Sequence, residues 1–157
     1  MISIEVDTRQ IMARLSVMPD KLRAAFLKKT YALAEKLKSK VQQNLTNRLL
    51  NIRTGKLVRS IFQQVTNSTN EVSGRVYSSG LPYARIQEFA GQTKAHVIEA
   101  VNGKALAFNM RGKEVFFKRV HHPGSTIKGA RYMGSAFQEM APEIQAGYRE
   151  AAGEGTK

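Results

Sequence analysis

The three histidines are the residues of this 157-residue chain with the widest chemical range, since imidazole can serve as a base, a nucleophile or a metal ligand. They are His96, His121 and His122. Neighbouring residues of an extended strand point to opposite faces, so His121 and His122 do not converge on one ion. The chain has no cysteine and no closely spaced acidic pair nearby. The sequence therefore predicts no metal site.

Other catalytic patterns are missing as well. No serine lies in a glycine–x–serine–x–glycine elbow, and Arg111-Gly112-Lys113 is a single-glycine turn rather than a phosphate-binding loop. The mid-chain carboxylates Glu88, Glu99 and Glu114 show no informative spacing. The sequence predicts a protein that is not an enzyme, without catalytic residues and without a cofactor.

The elements that position these residues begin with a long helix. Apolar residues recur mostly every fourth position over residues 20–50, with a bend expected at Thr46-Asn47. Short strands alternate over 61–65 and 72–77 and predict a β-hairpin. Thr54 is the expected cap of a short turn before this hairpin.

The second half of the chain predicts more strands and a final helix. A short helix is expected over Tyr83 to Phe89, and a helix from Tyr132 onward. Between them, a three-strand meander is predicted with Asn102-Gly103 as its first turn, because this dipeptide is the strongest short hairpin signal. The expected strands cover residues 96–101, 104–109 and 114–120.

These elements predict an α+β fold, with a long N-terminal helix packed on a mostly antiparallel β-sheet and a C-terminal helix. One domain is expected over residues 1–152, followed by a flexible tail over 153–157. A further strand at 2–6 and a helix to about Val17 are expected at the N-terminus. No apolar run is long enough to span a bilayer and no signal-peptide pattern is present, so no membrane association is expected.

The net charge of +13 lies in two blocks. Residues 20–60 carry a net charge of +9, residues 111–131 carry +5, and residues 132–157 carry −2. In the first block, one face of the predicted helix carries lysines, which are either simply solvated or in contact with an acidic partner or DNA. The lysines of this face are Lys21, Lys28, Lys29 and Lys36.

Three blocks in sequence order resemble the small minor tail proteins of long-tailed bacteriophages and prophages, best known from lambdoid phages. The first is Thr54-Gly55-Lys56-Leu57-Val58-Arg59-Ser60-Ile61, and the second is Tyr83-Ala84-Arg85-Ile86-Gln87-Glu88-Phe89-Ala90-Gly91. The third runs from Ala105 through Phe108, Val115 to Val120, and His122-Pro123-Gly124 to Ala130-Arg131. Two positions depart from the family: Ala90 stands where glycine is common, and Tyr132 where proline is often found.

The resemblance implies a structural virion protein of the phage neck that joins head and tail or completes the tail, assembled in the host cytoplasm. It implies a homo-oligomeric ring in contact with other neck and tail proteins. A tail terminator that caps the tail tube is an alternative, and a basic nucleic-acid-binding accessory protein is an alternative of another class. Non-specific contact with packaged DNA is also open.

Two sets of residues are the candidates for partner contact: the lysine face of the long helix and a basic loop after the last strand. In this loop and its flanks the candidates are Arg119, His121, Lys128 and Arg131. Phe89 and Phe108 are expected to fill the core between sheet and helix.

Overall fold

A computed structural model of the chain describes residues 2–5, 20–50, 54–68, 71–101 and 103–155, without the side chains of residues 2–5, 47 and 48. The helices and strands follow one another in this order: β1 (Ile2–Glu5), α1 (Asp20–Gln43), a π-helical segment (Asn44–Arg48), α2 (Lys56–Arg59), β2 (Ile61–Ser68), β3 (Glu71–Ser78), α3 (Ala84–Phe89), β4 (Gly91–Gln92), β5 (His96–Glu99), β6 (Leu106–Met110), β7 (Lys113–Phe117), β8 (Arg119–His122), β9 (Thr126–Ile127) and α4 (Tyr132–Gly155). The chain has the predicted α+β fold. The expected helix to about residue 17 lies outside the described residues.

Helix α1 is central, because it packs against the sheet on one side and against α4 on another. Its buried residues Leu33, Leu37 and Val41 recur at the intervals that predicted the helix. They share one core cluster with Val76 of the sheet and Met140 of α4. The long N-terminal helix therefore holds together the described elements outside residues 91–127, which we call the body.

The sheet of the body has three antiparallel strands in the order β1-β3-β2. The predicted hairpin is confirmed, with Ile61 opposite Ser78 and Ser68 opposite Glu71. Gly74 lies where β3 crosses α1, and a Cβ there would stand 3.0 Å from Thr30 Cγ2. A glycine at this position lets strand and helix approach closely.

The end of α1 widens into a π-helical turn, in which Leu49 N–H donates to Asn44 C=O at 2.9 Å. The expected bend at Thr46-Asn47 falls within this segment. Asn44 is fully buried, and its Nδ2 donates to Tyr132 C=O at 2.9 Å and to Ser135 Oγ at 3.0 Å. A buried amide of this kind requires partners, and the first turn of α4 supplies them.

The predicted three-strand meander is wrong. Strand β5 pairs with β8, and β6 pairs with β7, so the first and last strands enclose an inner hairpin. The inner turn lies at Arg111-Gly112, where both residues have positive φ (54° and 81°). Gly103 lies between two strands that do not pair with each other. The strand expected over 114–120 is also interrupted at Lys118.

Two smaller expectations also differ from the structure. Gly55, with φ of 66°, occupies the position before α2, and Thr54 Oγ1 is 3.5 Å from the Lys56 nitrogen, so Thr54 makes no close cap. Helix α4 continues through Pro142 to Gly155, which places the first three residues of the expected flexible tail inside its last turn. Residues 156–157 lie outside the described residues.

Candidate functional site

The nested strands form a single long hairpin, residues 91–127, which we call the arm. Three paired segments follow one another from its root to its tip, with Gly91 opposite Ile127, His96 opposite His122, and Leu106 opposite Phe117. No described residue between 91 and 131 is buried. The arm is therefore a two-stranded ribbon without a core of its own.

One side of the β6–β7 ribbon, the inner hairpin of the arm, is largely apolar. Residues directly opposite in an antiparallel pair point to the same side, and alternate residues of a strand share a side. The register therefore places five apolar side chains together, which we call the apolar face: Leu106, Phe108, Met110, Val115 and Phe117. Lys113, opposite Met110, lies at the tip end of the same side. The rings of Phe108 and Phe117 lie 6.5 Å apart. The opposite side carries Ala107, Asn109, Glu114 and Phe116.

The apolar side chains of this ribbon remain accessible to solvent. Met110 is 57% exposed, Phe117 is 45% exposed and Phe116 is 64% exposed. The expectation that Phe89 and Phe108 fill the core is wrong: Phe89 is 64% exposed on α3, and Phe108 lies half-buried on the arm. Contiguous exposed apolar residues of this kind mark interaction sites.

Glu88 fixes the root of the arm to the body. This carboxylate is buried, and it accepts hydrogen bonds from Met133 N–H and Gly134 N–H, each at 2.9 Å. These amides belong to the first turn of α4, where N–H groups have no partner within the helix and the helix dipole favours negative charge. The Glu88 C=O also accepts from Arg131 N–H at 3.1 Å.

Close backbone contacts reinforce the same junction. Ala130 N–H donates to Gln87 C=O at 2.7 Å. A Cβ at Gly129 would stand 2.7 Å from Glu88 O and 2.8 Å from the carbonyl carbon of Phe89, so only glycine fits there. The root of the arm is thus held against α3 and α4 by main-chain contacts.

Two of the three histidines meet on the arm. The rings of His96 and His122 stack with centroids 5.0 Å apart. His122 Nδ1 accepts from Gly124 N–H at 3.0 Å, and His96 Nδ1 lies 3.1 Å from Lys94 C=O. His121 points to the other side of the ribbon, as its sequence position predicts. Among the described residues, no three metal-ligating side chains are grouped to hold an ion.

The predicted lysine face is split by the structure. Lys29 Nζ lies 2.7 Å from Glu150 and Lys36 Nζ lies 2.5 Å from Glu143, both on α4. The hydrogen bond to Glu150 raises the pKa of the Lys29 amine. A third pair, between Lys40 and Glu139 at 2.8 Å, continues this seam. Lys29 and Lys36 therefore make ion pairs within the chain, and their contact with a partner stays a prediction.

The other candidates remain on the surface. Lys21 and Lys28 are exposed on α1, away from the seam. Arg119 and His121 lie exposed on β8, and Lys128 and Arg131 lie exposed at the root of the arm. The expected basic loop is therefore part of the arm and its root, although Thr126–Ile127 form a short strand there with β4.

The sequence reading missed the apolar face and the Glu88 cap. Alternation of Leu106, Phe108 and Met110 was available as a signal, but the turn at Asn102-Gly103 placed it in the wrong hairpin. Glu88 caps a helix that begins 44 residues later, and no local sequence pattern predicts such a contact.

No helix within the described ranges has the length and apolar character needed to cross a membrane. Comparison of the chain with protein-family models, curated proteins and solved structures found no match.

Proposed function

We propose that this chain is a structural, non-enzymatic protein of a tailed-bacteriophage virion or prophage, which acts in the neck as a head–tail joining or tail-completion protein within a homo-oligomeric ring. The observation that carries the proposal is the arm, whose apolar face is left partly exposed to solvent by the described residues. An isolated two-stranded hairpin is only marginally stable in water, so a neighbouring protein surface is the natural cover for this face. The sequence blocks that resemble minor tail proteins supply the context.

A ring requires heterologous contacts, in which one surface of a subunit meets a different surface of the next. A projecting arm fixed rigidly at its root is suited to such a contact, because it reaches beyond its own body. The Glu88 cap and the close approach at Gly129 hold that root in one orientation. A tail terminator would use the same contact, and the geometry favours neither role over the other.

Native mass spectrometry of the purified chain tests the ring directly. We expect a closed oligomer for the natural chain and loss of it for the double variant Phe108→Ser/Phe117→Ser, which disrupts the apolar face. The matched control is Phe116→Ser, on the opposite side of the same ribbon, which should keep the oligomer. A natural chain that stays monomeric, or equal assembly of all three proteins, would contradict the proposal.

The virion assignment has its own test. Mass spectrometry of purified phage particles from the source strain should detect the chain in intact virions. Its absence from particles that carry complete tails would contradict the proposed location in the neck, but it would not test the proposed assembly into a ring.

A further inference from the structure

Ion pairs in the structure neutralise part of the positive charge that the sequence places on the long helix. On the body, three lysines of α1 are paired with glutamates of α4, at Lys29–Glu150, Lys36–Glu143 and Lys40–Glu139. The arm has six cations and two acidic residues, which gives a net charge of +4 over residues 91–127. Among the described residues, none of these six cations lies within ion-pair distance of a carboxylate. The arm therefore carries six cations that no described carboxylate neutralises, and other exposed cations, such as Lys21 and Lys28, lie outside it.

The cations follow the whole length of the ribbon. Arg111 and Lys113 lie at the tip, and Lys94 lies toward the root. Lys104, Lys118 and Arg119 lie where the two strand pairs β5–β8 and β6–β7 meet, with Arg119 opposite Glu99. Lys113 and Lys118 are five residues apart, which corresponds to roughly 17 Å along an extended strand. Spaced charges of this kind suit a linear polyanion better than a single anionic group.

The shape of the arm favours double-stranded DNA among the linear polyanions. The major groove of B-form DNA, about 12 Å wide, admits a two-stranded β-ribbon. The tip is slender, because Arg111 and Gly112 form a tight turn with both residues at positive φ. Both Arg111 and Lys113 are exposed there.

We propose that the arm is a binding element for duplex DNA, with Arg111 and Lys113 at its tip contacting phosphates without sequence specificity. Lys113 lies on the same side of the ribbon as the apolar face, opposite Met110, and Arg111 lies in the turn beyond it. The proposal does not require a ring, since it rests on the charge of the arm. Each phosphate neutralised by a cation releases counterions, so binding weakens steeply as salt rises.

Fluorescence anisotropy with a labelled duplex of about 20 base pairs tests this directly. Six cations set the slope of log K against log salt at about −5 or shallower, and we expect −3 to −5. Between roughly 50 and 200 mM salt, affinity should then fall between about 60- and 1000-fold.

The variant Arg111→Gln/Lys113→Gln should flatten the slope by about 2, because each lost phosphate contact removes about one unit. The matched control is Lys36→Gln/Lys40→Gln, which lowers the net charge by the same amount at residues already paired within the chain. It should leave the slope unchanged. Urea unfolding of both variants establishes that each is folded.

Three results would overturn the proposal. The first is no binding to the duplex at low salt, and the second is an equal change of slope in both double variants. The third is binding to vesicles of an anionic phospholipid, but not to the duplex, that is lost on substitution of Arg111 and Lys113. Loss of DNA binding with an intact oligomer would leave the proposed ring standing.

Discussion

Glu88→Gln is the change that most directly tests how the arm is anchored. The glutamine has nearly the same shape, so no cavity is formed. It has only one oxygen, however, and its NH₂ group would face an N–H donor of Met133 or Gly134, both of which now donate to the carboxylate at 2.9 Å. Removal of the charge also ends its interaction with the N-terminus of α4.

The expected cost follows from these two hydrogen bonds. A hydrogen bond to a charged group contributes about 1.5–3 kcal/mol, and a neutral one contributes about 0.5–1.5 kcal/mol. One charged bond is lost and the other becomes neutral, so we expect about 2–4 kcal/mol of lost stability. With an m-value of about 1–3 kcal/mol/M in urea, the unfolding midpoint should fall by roughly 1–2 M.

Urea unfolding followed by circular dichroism measures this shift. The control is Glu99→Gln, an exposed carboxylate on β5, which should change the midpoint little. Hydrogen exchange should also accelerate at the Met133 and Gly134 amides in the Glu88→Gln variant. Midpoints that agree within about 0.2 M between this variant and its control would refute the account of a buried cap.

Two further predictions concern the same junction. Ala90 has φ of 70° and ψ of 171°, a conformation that only glycine adopts without strain. Ala90→Gly should therefore raise the free energy of unfolding in urea by about 1 kcal/mol. A loss of stability would contradict this interpretation. Burial, and secondarily the charge of Glu88, raise the pKa of the Tyr132 phenol, so the folded chain keeps this group neutral where the unfolded chain ionises. The contribution of Tyr132 to the free energy of unfolding should be complete below about pH 10 and fall above it. The urea unfolding midpoint should therefore fall less between pH 9 and pH 11 in Tyr132→Phe than in the natural chain. An equal fall in both proteins would refute this assignment.

The sequence predicted what depends on local pattern. The periodic apolar residues of α1 and the alternation around the β2–β3 hairpin each contain the information needed, and both elements were found. Ala90, which departs from the glycine common in the family that the chain resembles, has a positive φ, a conformation that glycine adopts without strain.

The features that the sequence did not predict are contacts between segments that lie far apart in the chain. Asn102-Gly103 is a strong turn signal, but the competing turn at Arg111-Gly112 brings Phe108 and Phe117 onto one side of a ribbon. The spacing of Lys29 and Lys36 indicates a common helix face, and only the position of α4 shows that each pairs with a glutamate. Both features depend on partners distant in sequence.

The pairing of β4 with β9 has a consequence for how far the arm can reach. Because Gly91 and Ile127 lie side by side, the arm leaves and re-enters the body at one place, and its length is independent of the core. Side chains alternate with a period of two, so one added residue in each strand would turn the apolar face to the other side. Two added residues in each strand would restore it about 7 Å farther out. Reach is therefore adjustable in discrete steps, with the orientation of the face preserved.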